Sequence, residues 1–472
     1  MGNEDPGTRE PITFGTDGWR APLSTFTSER VRMVGQAVAT YLEDRQPGAV
    51  AIGYDAREHS RGFAEDLASV LTANGRDVVL SDRDCPTPAL AWTVASGDFA
   101  GGLVVTASHN PPSYNGVKFV PADGAPAVAT VTDELERQLK PPRETGDAPG
   151  SHRERDLRGP YIDHVADFLG EEFGIDVALD GLTVAYDAMH GSGRGVTDEV
   201  LARAGATVSR RRCERVPDFG GTAPEPTPEN ASGLVDEVTA GGADIGFVND
   251  GDSDRVGIVT TERGFLDPNV VLALVYDFLL EYGDGDVVRT VPTSSLVDRI
   301  AAANGRSVHE TAVGFKWVAE AMGDHDVLAG GEESGGYGVT AHLRNKDGVL
   351  VALIAAAAHV EQPLDERIDE LFDTYGEIRQ GRRSVDCPDE EKTAVLDALE
   401  GDRPDRLAGT AVEHASGVDG VKLVLEDGTW VLVRPSGTEP KLRIYAEATA
   451  DARVTELLDA GKAIVDPLVD TQ

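Results

Sequence analysis

Three features of the sequence predict an α/β protein with three similar α/β domains, mixed and mainly parallel sheets, and a smaller C-terminal α+β domain. A strand–helix–strand unit recurs three times along the chain, which favours related domains. The final β-rich region lacks that unit. The length of 472 residues by itself favours about three domains, and the two patterns together raise the expected number to four.

Each repeated unit combines an apolar strand, a polar loop, a helix, a glycine turn and a second strand. The units begin with the strands at Ala49–Arg57, Leu182–Gly191 and Asp286–Ser295. Their turns fall at Gly75, Gly205 and Gly305, where a helix C-cap favours a residue with positive φ. Connections of this length suit parallel strands in a sheet covered by helices, and ligands then bind beyond the carboxyl ends of the strands.

The C-terminal region differs from these units. Its segment Val421–Ala448 holds a hairpin signal, Asp427-Gly428, between two β-rich runs. Segments rich in proline, glycine or charge mark the domain boundaries at Lys140–Pro160, Glu262–Gly264 and Gly376–Asp389. The sequence therefore predicts domains at residues 1–150, 151–262, 263–378 and 379–472.

The charge balance restricts the classes of partner. The chain has 43 basic and 82 acidic residues and a formal net charge of −39. This balance disfavours nucleic-acid binding, which needs basic surface to replace phosphate counterions, and attraction to anionic membranes. Eight of the basic residues are lysine. An acidic, lysine-poor surface favours a halophilic protein, dissolved in concentrated salt, over an acidic protein of an ordinary habitat.

Neither the cysteines nor the N-terminal segment predicts export. Cys85, Cys213 and Cys387 are far apart, which gives no disulfide framework and no zinc-site spacing. The first residues lack the basic and apolar regions of a signal peptide. The most apolar stretch, Val349–Ala358, is about half as long as a membrane-spanning helix, so we expect a buried helix there. The predicted location is cytoplasmic.

Ser108 lies in the loop Thr106–Pro112, directly after the apolar strand GGLVVT. Proline keeps this loop from continuing as a helix, so we expect the serine to be exposed at the carboxyl edge of a sheet. A serine in that position suits a nucleophile or a phosphate carrier. The loop is also typical of a turn in which serine hydrogen-bonds its own backbone.

Three aspartates, Asp250, Asp252 and Asp254, alternate in a loop after the apolar strand ADIGFV. Carboxylates at this spacing form an oxygen-rich site suited to Mg²⁺ or Ca²⁺. The EF-hand pattern is excluded, because its sixth and twelfth positions hold Arg255 and Thr261 instead of Gly and Glu. Mg²⁺ commonly leaves positions open for a substrate phosphate, which Arg255 could also hold, so the loop predicts phosphoryl chemistry. A solvated acidic turn is the alternative.

Two further loops suit a sugar phosphate. Glycines in Gly330–Gly336 let the backbone approach a ligand, and the acid and hydroxyl between them can bind neighbouring sugar hydroxyls. The segment Arg434–Arg443 combines hydroxyl groups, backbone N–H groups and three basic side chains, which suits an anion. A flexible turn and an incidental basic turn are the respective alternatives.

The scarce lysines give an independent indication. Lys118, Lys316 and Lys441 all stand in loop or glycine-flanked segments of this kind. Lysine can exchange protons, whereas arginine effectively cannot. Lysines that persist in an arginine-rich chain therefore favour an anionic substrate.

The segments TASHNP, DGDSDR, GEESGG and RPSGTEPKLR occur in this order, and FGTDGWR (Phe14–Arg20) stands at the start. In this combination the chain resembles the α-D-phosphohexomutase family, which includes phosphoglucomutase, phosphomannomutase and phosphoglucosamine mutase. The resemblance extends from about Thr13 to Ala448. It implies three similar α/β domains and a smaller fourth domain around a central cleft, in agreement with the repeats.

The resemblance also implies roles for individual residues. Ser108 would be the phosphoserine, and its phosphate would share one Mg²⁺ per chain with Asp250, Asp252 and Asp254. Phosphoryl transfer would be assisted by Arg20, Lys118 and Arg255. The substrate would be bound by Lys316, Glu332, Ser334, Arg434, Ser436, Gly437, Thr438, Lys441 and Arg443. The loop Thr311–Trp317 would select the sugar, and its Gly-Phe-Lys form resembles glucose-type members; His309 beside it is a candidate ligand or a structural residue.

The implied enzyme is an intramolecular phosphotransferase that interconverts hexose 1-phosphate and hexose 6-phosphate, with glucose, mannose or both as the sugar. Phospho-Ser108 would give its phosphoryl group to the sugar, which forms a bound hexose 1,6-bisphosphate, and would then take back the other phosphoryl group. We expect a sugar phosphate as partner, no nucleic acid and no membrane, and a monomer or a dimer.

Four alternatives stay open at this point. The first is a phosphoglucosamine mutase. The second is a phosphatase with an aspartate nucleophile, because Asp252–Val256 satisfies a short D-x-D-x-[TV] pattern. A sugar-phosphate-binding protein without catalysis is the third. The fourth, a dinucleotide-binding protein, rests on His190–Gly195, but the third glycine of its motif would fall on Val196.

Overall fold

The structure, a computed structural model, describes residues 11–15, 17–43, 45, 47–143, 148–437 and 439–469. The chain forms three α/β/α domains and a C-terminal domain of different construction. Each domain is built on its own sheet, and the predicted fold class is confirmed.

The first domain is a six-stranded mixed sheet with helices on both faces. Its strands are β1 (Trp19–Pro22), β2 (Ala49–Tyr54), β3 (Val78–Ser81), β4 (Phe99–Val105), β5 (Tyr114–Pro121) and β6 (His152–Arg155). Its helices are α1 (Ser28–Leu42), α2 (Ser60–Ala73), α3 (Thr87–Ser96) and α4 (Ala129–Arg137). The strand order is β1-β5-β4-β2-β3-β6, and β1 and β5 supply the antiparallel edge. Strand β6 pairs with β3, although it follows residue 150, where the sequence places the first division.

The second domain is a five-stranded mixed sheet. Its strands are β7 (Thr183–Asp187), β8 (Thr207–Arg211), β9 (Ile245–Asn249), β10 (Val256–Thr260) and β11 (Gly264–Phe265). Its helices are α5 (Arg158–Phe173), α6 (Thr197–Arg203) and α7 (Ser232–Thr239), with a short 3₁₀ turn at Phe219–Gly221. The order β11-β10-β9-β7-β8 joins a parallel half to an antiparallel half, and the three aspartates fill the connection between β9 and β10.

The third domain repeats the plan with four strands in the order β13-β12-β14-β15. These are β12 (Asp286–Thr290), β13 (Val308–Thr311), β14 (Val327–Gly331) and β15 (Tyr337–Val339). The helices are α8 (Pro268–Leu280), α9 (Leu296–Ala303), α10 (Phe315–Asp324), α11 (Gly348–Glu361) and α12 (Leu364–Tyr375). Pairs β12/β13 and β12/β14 are parallel, and β15 closes the sheet antiparallel to β14.

Helix α11 contains the most apolar stretch of the sequence and is buried as predicted. It packs against helices of the second and third domains, and residues Gly348–Ala358 are all buried, so its apolar character on every side has a structural cause. No single helix in the described ranges is long and apolar enough to cross a membrane. Helices α11 and α12 together have the length and apolar composition of a membrane span, but the chain bends by 86° between them.

The fourth domain is an antiparallel sheet with two helices. Its strands are β16 (Arg379–Asp386), β17 (Arg406–Leu407), β18 (Thr410–Ser416), β19 (Val421–Leu425), β20 (Trp430–Pro435) and β21 (Lys441–Ala448). Its helices are α13 (Lys392–Gly401) and α14 (Asp451–Val469). The predicted hairpin joins β19 to β20, and Gly428 has the positive φ of 77° that this turn requires.

The three repeated units are confirmed as parallel pairs. Each one has a helix between its two strands: β2–α2–β3, β7–α6–β8 and β12–α9–β13. The turn glycines Gly75, Gly205 and Gly305 have φ values of 80°, 105° and 69°, the left-handed conformation expected after a helix. The sequence motifs lie in the loops that follow β4, β9, β14 and β20.

Candidate active site

Ser108 lies just beyond the carboxyl end of β4, in the serine loop (Thr106–Pro112). Its backbone has a φ of 51°, an unusual value for a residue with a side chain. Its N–H donates to Thr106 Oγ1 (2.8 Å), and its hydroxyl donates to Asp250 Oδ2 (2.6 Å). The expectation of an exposed serine is wrong: Ser108 is fully buried, because the loop that starts at Asp250 packs directly on it.

Arg57 holds the serine loop in this shape, and the sequence analysis missed it. Its buried guanidinium is fixed by Asp55 (Nε to Oδ2, 3.0 Å), which also accepts from the Thr106 hydroxyl at 2.8 Å. It donates to four carbonyl oxygens of one short segment, at 2.7–3.1 Å: those of Ser108, Asn110, Pro111 and Tyr114. One side chain thereby binds three carbonyl oxygens of the loop and that of Tyr114 just beyond it, which stabilises the left-handed Ser108.

The metal loop (residues 250–255) brings together the three predicted carboxylates. Asp250, Asp252 and Asp254 are buried, and one oxygen of each lies within 4.8 Å of the others. Asp252 Oδ1 and Asp254 Oδ1 are buried, and within the described part of the chain they have no hydrogen-bond partner. Buried carboxylate oxygens are costly without a partner, and they are the ligands that Mg²⁺ prefers. The site therefore fits a divalent cation.

Two buried lysines hold the other oxygens of these carboxylates. Lys118 Nζ lies 2.8 Å from Asp17 Oδ2 and 2.9 Å from the Oδ2 atoms of Asp252 and Asp254. Lys346 Nζ lies 3.0 Å from Asp254 Oδ2 and 3.4 Å from Asp17 Oδ2. The sequence analysis identified Lys118 but missed Lys346. The scarcity of lysine was the available signal, since Lys346 is one of the eight.

The protonation states follow from this packing. Burial raises the pKa of Asp250 well above its usual range, and the charges of Asp252 and Asp254 raise it further. A divalent cation would oppose that effect. Burial alone would lower the pKa of Lys118, but the carboxylates, Asp17 foremost, raise it above its ordinary value. Lys118 is thus held as a cation by the carboxylates around it.

Positive charge surrounds Ser108 on its other side. Arg20 donates to Asp17 Oδ2 (2.9 Å) and to Asn110 Oδ1 (3.4 Å), and Arg255 donates its backbone N–H to Asp250 Oδ1 (3.2 Å). The Nε atoms of both arginines are buried without a partner. Burial and the charges of Arg255 and Arg20 lower the pKa of His109 to about 2. Arg20 and Arg255 therefore offer positive charge to a phosphate on the side of Ser108 away from the three aspartates, despite the net charge of the chain.

Glu332 and Ser334 lie in the turn between β14 and β15. Glu332 is buried and accepts from the N–H of Gly314 (3.0 Å), whereas Ser334 is exposed. Burial raises the pKa of Glu332 to about 7; Lys346 opposes the rise and Glu333 adds to it. The contact with Gly314 joins this turn to the predicted selection loop (Thr311–Trp317).

Lys316 and His309 flank the selection loop in different ways. Lys316 Nζ lies 5.4 Å from the centre of the Trp317 ring, and the described part of the chain offers it no ion pair or hydrogen bond. It is therefore an available cation. His309 is bound to Asp286 (2.8 Å) and stacks on His325 at 3.8 Å. Those contacts are typical of a structural histidine.

The predicted anion-binding segment, here called the cradle (Arg434–Arg443), joins β20 to β21. Arg434 and Arg443 are directly opposite in register, and without an anion they are neutralised by Asp419 (3.0 Å) and Glu439 (3.0 Å). Like charges facing each other across two strands are unfavourable unless they are neutralised, and a bound anion could replace these carboxylates as the partner of the two arginines. Among the described residues, Ser436 Oγ is buried without a hydrogen-bond partner.

The remaining cradle residues are less constrained. Lys441 pairs with Glu439 at 3.1 Å, and Gly437 is exposed, with open space where a Cβ would stand. Thr438 lies outside the described residues. Two residues that the sequence analysis missed support the cradle: Lys392 donates to the carbonyls of Ser436 and Glu439 at 2.7 Å, and Asp419 also accepts from the N–H of Val313 in the selection loop.

Fold and site together define a phosphotransferase with a buried serine, an acidic metal loop and a basic cradle. Models of the phosphoglucomutase/phosphomannomutase family match four successive segments: α/β/α domain I over residues 11–145, domain II over 159–264, domain III over 267–375 and the C-terminal domain over 384–462. The chain belongs to this family, the α-D-phosphohexomutases, and is accordingly a mutase.

Relatives that match over nearly their whole length are also named as mutases of this family. The chain is 36% identical to a "Probable phosphoglucosamine mutase" of Methanopyrus kandleri, over 97% of this chain and 98% of that protein. It is 32% identical to a "Phosphoglucomutase/phosphomannomutase" of Thermococcus kodakarensis, over 96% and 98%. A crystal structure from Thermus thermophilus, named as a candidate phosphomannomutase, has a TM-score of 0.84 and 31% identity, over 97% of this chain and all of that one.

Proposed function

We propose that this enzyme interconverts hexose 1-phosphate and hexose 6-phosphate, with glucose or mannose as the sugar and Ser108 as the phosphoryl carrier. The observation that carries the proposal is the position of the Ser108 hydroxyl, 2.6 Å from Asp250 in a loop with two unpartnered carboxylate oxygens. A carrier serine needs a cation site on one side and anion-binding groups on the other, and both are available.

The first transfer exchanges one phosphorus–oxygen bond for another. The bond from phosphorus to Ser108 Oγ breaks and the bond from phosphorus to the sugar O6 forms. The proton lost from O6 is balanced by the proton that Ser108 Oγ takes up, and the product is the hexose 1,6-bisphosphate. Lys118, paired with Asp17, Asp252 and Asp254, would assist proton transfer at the serine through its charge. Arg20 and Arg255 bring positive charge to the transferring phosphoryl group. After the intermediate reverses its orientation, the bond from phosphorus to the sugar O1 breaks and a bond from phosphorus to Ser108 Oγ forms, which leaves the hexose 6-phosphate and restores phospho-Ser108.

One Mg²⁺ held by Asp250, Asp252, Asp254 and the Ser108 phosphate would supply charge neutralisation for the transferring group. This chain's own residues perform the binding steps. Glu332 and Ser334 would accept and donate hydrogen bonds to sugar hydroxyls, while Lys316 adds a cation beside them. The cradle, through Arg434, Ser436, Gly437, Thr438, Lys441 and Arg443, would bind the phosphate that does not react.

Glucosamine phosphate is the second candidate substrate. The relative of Methanopyrus kandleri, at 36% identity, is named a phosphoglucosamine mutase. The Gly-Phe-Lys sequence of the selection loop resembles glucose-type members more than glucosamine-type ones. An N-acetylphosphoglucosamine mutase of Aspergillus fumigatus with the same fold (TM-score 0.61, 15% identity, covering 98% of this chain and 96% of that one) was crystallised with GlcNAc-6P and magnesium, which is consistent with a sugar-phosphate substrate.

A side-by-side assay tests the proposal. Glucose 1-phosphate, mannose 1-phosphate and glucosamine 1-phosphate are supplied with Mg²⁺ and a trace of hexose 1,6-bisphosphate, and 6-phosphate products are quantified. We expect turnover with glucose or mannose that exceeds turnover with glucosamine. A preference for glucosamine 1-phosphate would replace the first candidate with the second. Release of inorganic phosphate without an isomer would contradict both and favour a phosphatase.

A further inference from the structure

Thr87, the first residue of α3 in the first domain, contacts the metal loop of the second domain. Its hydroxyl donates to Asp252 Oδ2 at 2.6 Å, and its backbone N–H donates to the Asp252 carbonyl oxygen at 2.9 Å. Both residues are buried. They lie 165 positions apart in the chain, so this pair forms only when the two domains are docked.

Because of this contact, the two oxygens of the Asp252 carboxylate have different surroundings. Oδ2 accepts hydrogen bonds from Thr87 and from Lys118, at 2.6 and 2.9 Å. Oδ1 is buried and has no partner. A carboxylate held by one oxygen in this way presents the other in a fixed direction, which is how outer partners orient metal ligands.

Lysine alone does not fix that direction. The ammonium group of Lys118 is shared among Asp17, Asp252 and Asp254, and its flexible stem carries a charge without a preferred plane. Thr87 is more restricted, because it is β-branched, lies between Pro86 and Pro88, and is bonded through both its main chain and its side chain. Thr87 is thus the better determinant of the Asp252 orientation.

We propose that Thr87 is a positioning residue that orients Asp252 for a divalent cation. The metal loop thereby reaches its binding geometry only when the first and second domains are docked. This inference rests on the proposed function, because it takes Asp250, Asp252 and Asp254 as the cation ligands.

Thr87→Val tests the inference, since it removes the hydroxyl and keeps the shape. Binding of Mn²⁺ is followed by electron paramagnetic resonance on the full chain, with Mg²⁺ as competitor. We expect the affinity for both ions to fall by about 10- to 100-fold, the usual effect of removing an outer partner. Thr87→Ser, which keeps the hydroxyl, should restore most of the affinity.

Thr93→Val is the matched control. Thr93 lies on the same helix and is buried, but its hydroxyl bonds only to the carbonyl of Ala89 at 2.8 Å. We expect its ion affinity to equal that of the wild type. If Thr87→Val does not fold, as judged by circular dichroism, Thr87→Ala replaces it under the same criteria.

Three results would overturn the inference: an affinity of Thr87→Val within about twofold of the wild type, an equal loss in Thr93→Val, or a wild type that binds no Mn²⁺. The two proposals fail separately. Sugar-phosphate turnover by the wild type with an unaltered ion affinity in Thr87→Val rejects only the role of Thr87. A large loss of ion affinity in Thr87→Val together with an inactive wild type rejects only the proposed mutase activity and leaves the role of Thr87 in place.

Discussion

At the scale of single residues, the site depends on contacts between distant parts of the chain. The motifs that carry chemistry are continuous in sequence, so Ser108 and the three aspartates could be predicted from their spacing. Arg57, Thr87 and Lys346 could not, because their importance comes from partners 51 to 329 positions away. The exposure of Ser108 was predicted wrongly for the same reason: the second domain covers it.

Arg57→Lys tests the support of the serine loop. Lysine keeps the charge but cannot reproduce the fork of donors that contacts four carbonyls and Asp55. We expect Ser108 to be misplaced and kcat/KM to fall on the order of 10²-fold. Steady-state kinetics measure the change in kcat/KM. The control is Arg61→Lys on α2, because the Arg61 guanidinium forms partly exposed ion pairs with Glu65 and Glu154. This variant should retain full activity. Equal losses of kcat/KM in the two variants would reject the role of Arg57.

The pH dependence of sugar binding should report Glu332. Because the pKa of its carboxyl is raised to about 7, the group is neutral below that pH and ionised above it. A neutral carboxyl is a weaker acceptor for sugar hydroxyls, so kcat/KM should decline as the pH falls through 7. The substrate phosphate titrates near pH 6 and contributes its own decline. Glu332→Gln should lose the decline near pH 7 and keep the one near pH 6; an identical profile in the two proteins would contradict the assignment.

At the scale of elements, each candidate loop lies at the carboxyl end of a strand. The serine loop follows β4, the metal loop follows β9 and the Glu332 turn follows β14. The sequence could place these loops because apolar strands and glycine turns are local signals. It could not show how the loops connect: Asp419, between β18 and β19, bonds both Val313 in the selection loop and Arg434 in the cradle. Such a contact depends on how the third and fourth domains pack.

Arg443→Ala tests the cradle. The substitution removes a charge-assisted donor opposite Arg434, so kcat/KM should fall on the order of 10²-fold, as for other donors to a reacting anion. Arg383→Ala is the matched control, because Arg383 lies on the adjacent strand β16 and pairs with Asp459 at the surface. An unaltered kcat/KM in Arg443→Ala would show that the cradle is misassigned.

At the scale of the whole molecule, the scarce lysines mark the site and the interfaces. Lys118 and Lys346 hold the metal loop, Lys392 supports the cradle, and Lys422 joins the fourth domain to Glu310 and Val291 of the third. The acidic residues far outnumber the basic ones, yet Arg20 and Arg255 lower the pKa of His109, the residue next to Ser108. The lysine signal was visible in the sequence, but only packing assigns each lysine its place.

The proposed halophilic character predicts how stability depends on salt. With 82 acidic and 43 basic residues, repulsion across the surface opposes folding at low salt. Raising KCl from 0.1 to 1 M shortens the screening length from about 10 Å to about 3 Å. We expect the melting temperature to rise over this range, as measured by calorimetry. A melting temperature that is highest at low salt would contradict the proposal.

The phosphoryl group on Ser108 is the most direct test of the proposed function. Intact mass is measured after incubation with glucose 1,6-bisphosphate and again after addition of glucose 6-phosphate. We predict that the wild type gains one phosphoryl group and then loses it to the sugar, whereas Ser108→Ala gains none and has lost nearly all mutase activity. A Ser108→Ala protein that gains the same mass, or that turns over sugar phosphate at the wild-type rate, would contradict the account.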